Sequence, residues 1–331
     1  MRILYKRQQG VALLVALLVV ALAVILIAAL LDRGELAYAR TRNTLRGEQA
    51  EAYAQGLEIY AAQILLGTKN GQAGADTNMS PWAMPLPPQP VPGGLIRATM
   101  RDLNGCFNLN NLSPRNLNDR QRWGGIFRAL LKQLEIDPTI EGAVDSWLDP
   151  NAASSEMNYY LAQPIAYRPR GDVFTHVSEL RLVRGVSSDV YARLAPHVCA
   201  LPPNTRLNVN TADLAVLSSL SVLSRLITPA TAVKLWNDGH ANYNDVSQFA
   251  GDLSNAGVGD PSLANSSLLT TSSTYFLARG DVTLDEVPFT FYSLIERGNG
   301  IRVIERSRGS DDALSAAAPI APDPNRATTL D

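Results

Sequence analysis

The chain has 331 residues, 46% of them hydrophobic and 18% charged, with a net charge of −2. That composition suits a folded body holding one large domain or two smaller ones. Without residues 1–10 the chain keeps 26 basic against 31 acidic residues, which gives no basic face for nucleic acid. Three scattered histidines (His176, His197, His240) give no zinc-ligand spacing.

The first element decides most. Arg2, Lys6 and Arg7 precede Gly10, and residues 11–31 (VALLVALLVVALAVILIAALL) carry no charged or polar side chain. As a helix this run measures about 30 Å, enough to cross a bilayer core. Gly10 lies before the apolar run, whereas an ordinary signal peptide is cut after it. Two readings stand: an uncleaved signal anchor, or a prepilin-type leader cut after Gly10. Both keep the basic end in the cytoplasm and place the remainder across the membrane, in a bacterium the periplasm.

The helix continues to about residue 66. Ala37, Tyr38, Leu45, Ala52, Tyr53, Leu57, Tyr60, Ile64 and Leu65 recur at three- and four-residue intervals, with Arg40, Arg42, Arg46, Glu48, Glu51 and Glu58 on a solvated face. Residues 68–92 are rich in Gly, Asn and Pro and read as a loop. Residues 95–103 alternate like a strand, and residues 273–284, 287–297 and 301–306 read as an antiparallel meander. Between them lies mostly helical pattern, including 120–134 and 139–148.

The expected fold is therefore α+β, with an all-α domain inserted into a small sheet domain. Its predicted parts are a leader (1–10), a transmembrane helix (11–31), the first part of the sheet domain (32–111), the all-α insert (112–270), the C-terminal strands (271–309) and a disordered tail (310–331).

Three features bear on chemistry. Cys106 and Cys199 are the two cysteines, free to bond in an oxidising compartment or to stay as buried thiols. In DSWLDPNAASSEMNYY, Asp145 and Asp149 lie one helical turn apart, and Asn151, Glu156 and Asn158 follow. Such oxygens suit calcium, or else cap helices and solvate a loop. Two segments look like helical hairpins. The first has Gly185 in its turn but Ser187 where a second phosphate-binding glycine belongs; the second has Thr211 as expected N-cap and no turn glycine. No nucleophile–base set, metalloprotease motif or phosphate loop is present.

Six segments in order carry a resemblance. They are RQQG-VALLVALLVV, DLNGCFNLNNL (102–112), DSWLDPN followed by MNYYLAQPIAYRP (145–169), VSELRLVRGV (177–186), CALP (199–202) and LNVNTA (207–212). Together they resemble the type II secretion system protein K family, large minor pseudopilins, and the match covers nearly the whole length. The resemblance implies a pilin-like fold and a non-enzymatic part in exporting folded proteins across the outer membrane. It implies cutting by a prepilin peptidase between Gly10 and Val11, methylation of the Val11 amine, and single-pass residence in the inner membrane. The implied partners are the I and J minor pseudopilins in a tip complex, extending to the H minor and G major pseudopilins. Calcium at Asp145, Asp149, Asn151, Glu156 and Asn158, and a Cys106–Cys199 disulfide, come with it. One departure stands out: major pseudopilins carry Glu at the fifth mature position, where this chain has Val15. The competing readings are a membrane-anchored DNA-binding protein of a competence pilus and a signal-anchored periplasmic hydrolase.

Overall fold

The computed structural model describes residues 9–70, 74–116, 119–152, 154–223, 227–253 and 266–309. The expected tail, most of the leader and parts of two helical connections lie outside the described residues. The chain forms two compact units, residues 1–53 and 54–331. Helix α1 (Gln9–Asn70) supplies the first unit and enters the second. Among the described residues it is the one helix long and apolar enough to cross a membrane, and its run 11–31 is exposed throughout.

The second unit holds a five-stranded antiparallel sheet: β1 (Leu86–Val91), β2 (Gly94–Asp102), β7 (Tyr275–Leu284), β8 (Val287–Arg297) and β9 (Ile301–Arg308), in the order β1-β2-β7-β8-β9. Tight turns fix its register. Pro92-Gly93 joins β1 to β2, with Gly93 at φ +83° as a type II turn requires. Asp285 and Glu286, both at positive φ, join β7 to β8. Strand β1 falls inside the segment expected to be loop. Its Pro87, Pro88 and Pro90 forbid a helix but are tolerated on an edge, where a missing N–H costs no ladder bond. At the other edge β9 carries Arg302, Glu305, Arg306 and Arg308, and the pairing slips by a bulge opposite Leu294 and Ile295.

Within the second unit α1 packs on one face of the sheet. Ala61, Leu65, Trp82, Phe276 and Ile295 form that core. The buried face of α1 is Ala54, Glu58, Ala61 and Leu65, which corrects the solvated placing of Glu58. Glu58 is 8% exposed, and its carboxylate accepts two 2.7 Å bonds from Arg306 and a third from Ser293 Oγ at 2.6 Å. The charge is buried because two strands supply its partners.

Between β2 and β7 the chain builds two helical units on one plan. The first opens with β3 (Phe107–Asn108), continues through α2 (Arg120–Gln133), α3 (Ile140–Leu148), α4 (Ser154–Leu161) and α5 (Ser188–Leu194), and closes with β4 (Val198–Cys199), parallel to β3. The second opens with β5 (Leu207–Asn208), runs through α6 (Leu214–Ser219), α7 (Pro229–Trp236) and α8 (Val246–Leu253), and closes with β6 (Leu269–Thr270), parallel to β5. Each begins Asn-x-Asn. Asn108 and Asn208 accept the N–H of Asn110 and Asn210 through Oδ1. Asn110 then clamps both main-chain groups of Phe174 at 2.7 and 2.9 Å, and Asn210 clamps those of Tyr243 at 2.8 and 2.9 Å. The clamped aromatics begin matching segments, FTHVSEL and YNDVSQF, in which Glu179 and Gln248 each accept a 2.8 Å bond from the N–H four residues before. Helices α2 and α6 pack against one another. The halves differ after the third element: residues 237–242 link α7 to Tyr243, whereas residues 149–173, including α4, link α3 to Phe174.

The Cys106–Cys199 disulfide (S–S 2.09 Å) ties the start of the first helical unit to its end. It packs with Leu103, Leu201, Tyr275, Leu277 and Tyr292 on the sheet face opposite α1. Because it closes a long loop of separation 93, replacing both cysteines by Ala is expected to cost about 4.6 kcal/mol on a chain-entropy basis. Denaturant unfolding of the variant, beside the reduced and oxidised parent, measures this.

Candidate functional site

All segments that leave or rejoin the sheet meet at one buried polar joint. Strand β2 ends at Asp102, 5% exposed. Its Oδ1 accepts the Asn104 N–H at 2.7 Å, and its Oδ2 accepts Asn208 Nδ2 at 3.1 Å, Thr211 Oγ1 at 2.5 Å and Ser273 Oγ at 2.6 Å. A second buried carboxylate, Asp76, receives Trp82 Nε1 at 3.1 Å, the Ser273 N–H at 2.7 Å and the Arg297 guanidinium. Asn208 Nδ2 also reaches the Asp76 carbonyl at 3.1 Å. Asn104 receives the N–H groups of Thr274 and Tyr275. Gly105 must be glycine here, because a Cβ would lie 2.5 Å from the Thr211 carbonyl oxygen. The N-cap of α6 is Asp213, accepting from Val216 at 2.9 Å, rather than the expected Thr211, whose hydroxyl is spent on Asp102.

Asp76 has Arg297 as a hydrogen-bonded counter-charge, while the bonds to Asp102 come from neutral donors and the half-buried Arg101 acts on it through space without bonding to it. Burial therefore pushes the Asp102 carboxyl up to about 6, opposed by the bonds from Ser273, Thr211 and Asn104 and aided by the Asp76 charge. The joint is a structural lock: it holds three chain crossings together, and its hydroxyls and carboxylates are spent on one another.

The residues expected to ligate calcium are placed on α3, α4 and the link between them. Asp145 faces Arg120 at 2.6 Å. Helix α3 stops at Leu148 and Asp149 has extended backbone, so the two aspartates do not share a helix face; Asp149 accepts instead the Asn151 N–H at 2.8 Å. Glu156 pairs with Arg184 at 3.1 Å, and Asn158 is exposed on α4. Among the described residues no group of three or more His, Cys, Asp or Glu is positioned to hold a metal. At the amino end, Gly10 and Val11 lie in the first turn of α1, with Val11 exposed. Sequence reasoning missed Asp76, Asp102 and Arg297. The Asn-x-Asn repeats were the available signal, since asparagines flanked by Leu and Val belong to a core only if their amides are used.

A long amino-terminal helix whose first half is a candidate membrane span and whose last turns pack on an antiparallel sheet, with a disulfide-tied helical insertion, defines a pilin-like protein. Comparison with known proteins narrows this. A family model described as type II secretion system protein K matches residues 105–203, bracketing the first helical unit. The chain is 32% identical to the type II secretion system protein K of Pectobacterium carotovorum over 325 residues, covering 92% of this chain and 97% of that protein. It is 33% identical to that of Pseudomonas aeruginosa, covering 91% and 93%. The crystal structure of the GspK-GspI-GspJ complex from enterotoxigenic Escherichia coli contains a similar chain: TM-score 0.71, 27% identity, covering 82% of this chain and 99% of that one. The chain belongs to the type II secretion system protein K family and is a minor pseudopilin.

The raised carboxyl at the joint sets a pH dependence. The fold binds the Asp102 proton more tightly than the unfolded chain does, so its contribution is full below about 3.8 and lost as pH rises through about 6. Melting temperature is expected to gain a component that rises from pH 7.5 to 5 and that Asp102→Asn flattens; scanning calorimetry on both proteins checks it.

Proposed function

We propose that this chain caps the tip of a pseudopilus, together with I- and J-type minor pseudopilins, and takes no catalytic part in exporting folded proteins. The supporting observation is the run 11–31, which is uncharged throughout, Val15 included. A carboxylate within a bilayer costs about 2.5–3.5 kcal/mol on insertion scales and is kept only where a partner compensates it. A shaft subunit has such a partner in the amino group of the neighbour; a subunit with nothing above it does not. Two helical units beyond the sheet add bulk that opposes further stacking. The neighbour solved with I and J proteins supports the same partners here. In this reading a prepilin peptidase cuts after Gly10, Val11 is methylated, the leader end stays cytoplasmic, and the body lies in the periplasm. H-type and G-type pseudopilins follow below the tip.

Calcium, implied by resemblance, enters the reading with a condition: the ion must displace Arg120 from Asp145 and Arg184 from Glu156. Titrating the detergent-solubilised chain with CaCl2 against EDTA tests it. Binding raises the melting temperature, and Asp145→Asn removes the rise; an unchanged melting temperature ends the idea.

The test of the tip position is labelling. Fibres assembled with a tagged chain are expected to bind gold-conjugated antibody at one end only, and the same chain is expected to begin with N-methylated Val11 by mass spectrometry. Gold spaced along the shaft would overturn the capping role, and an intact Met1 would overturn the processing.

A further inference from the structure

The chain covers the two faces of its sheet unequally. Ala98 and Met100 turn toward α1, so their neighbours Arg97, Thr99 and Arg101 turn to the other face. There Arg101, Leu277, Leu294 and Glu305 stand in one row across four strands. The disulfide and its neighbours cover one part of this face. Beside them a groove remains, floored by Leu277, Tyr292 and Leu294 and walled by residues 175–177 of the first helical unit. Charge runs across the face in one direction. On β2, Arg97 is exposed and has no bond, ion pair or ring contact with any described residue. Arg101 is half-buried, gives one N–H to the Pro196 carbonyl at 3.2 Å and forms no ion pair among the described residues; Asp102 and Asp213 act on it through space. Between the edges Arg279 is matched by Asp281. On β9 stands Glu305, exposed and also without a partner among the described residues.

The segment that leaves from the negative side is the chain's own end. The Gly309 N–H donates to the Thr290 carbonyl at 3.0 Å, on the row that runs through Asp281 to Arg97. Residues 310–331 follow, with Asp311, Asp312, Asp323 and Asp331 against one basic residue, Arg326. Three strand spacings, about 14 Å, separate Gly309 from β2, and five extended residues span about 17 Å. Asp311 and Asp312 thus start beside Glu305, which repels them, and are long enough in reach to meet Arg97.

We propose that this face is the docking surface for the chain's own residues 311–323, with the aspartates held by Arg97 and Arg101 and with Leu314 and Ile320 in the groove. Guanidinium forks pair with carboxylates, and the apolar floor supplies burial for the two larger side chains. The rest of the segment is Ala, Ser and Pro, apart from Asp323, so its backbone fits close to the strands. Pro319 and Pro322 restrict the free segment and lower the cost of ordering it. Tethering at Gly309 gives it an effective concentration of order millimolar, which a separate partner has to exceed. The proposal does not rest on the tip position.

The experiment places a photo-cross-linker in the segment, as Ala313→p-benzoylphenylalanine, in the full-length chain in detergent. Irradiation is expected to give an adduct within one chain, mapped by mass spectrometry to β7, β8 or residues 175–177. Asp311→Lys combined with Asp312→Lys should lower its yield about tenfold, and adding Arg97→Glu to that pair should restore it. The lysines lie outside the folded body, so their effect is not one of unfolding, and matching melting temperatures show that Arg97→Glu leaves the sheet intact. Absence of the adduct, a yield indifferent to the lysines, or an adduct formed only between a heavy-isotope chain and a light one would each overturn the proposal.

Discussion

A carboxylate with almost no access to water, hydrogen-bonded by neutral groups, stands where the sheet hands the chain to the helical units and takes it back. Asp102 is held by a main-chain amide, an asparagine amide and two hydroxyls drawn from distant segments. Such a group is costly to bury unless its lone pairs are filled. That cost makes the arrangement specific. Thr211, Asn208 and Ser273 must arrive together, and with them β5, α6 and the start of β7. The neighbouring Asp76–Arg297 pair closes the same joint from the segment after α1 and the end of β8. Helix, sheet and both helical units are thereby referred to one point.

The disulfide and the Asn-x-Asn clamps act at a different scale. They make each helical unit a closed loop, since β3 returns to β4 and β5 to β6. The joint then has to position two closed units rather than a string of short helices. Short helices need this support: α6 has six residues and α5 seven, too few to be stable without tertiary packing.

Much of this was legible in the sequence because it rests on local pattern. The apolar run, the alternating strands and the amphipathic helices each declare their period. What was hidden rests on distant partners. Glu58 looks like a surface acid on a charged helix face until Arg306 and Ser293 come from strands more than 200 residues away. The strand β1 was masked by its prolines, which forbid helix but say nothing against a place at an edge. Asp145 and Asp149 share a turn only if the helix continues, and Pro150 stops it one residue too soon. The duplication was hidden because its halves differ in length, so the two Asn-x-Asn sites do not repeat at a fixed spacing.

The edges of the sheet carry a consequence for how the protein meets other chains. One rim is studded with prolines that offer no donors, and the other is kinked and lined with charge. Both rims are thereby protected against templating a strand from another molecule. Lateral, amyloid-like growth is thus disfavoured at both edges. Among the described residues, the surfaces left open to a partner are the helix and the two faces of the sheet rather than its ladder.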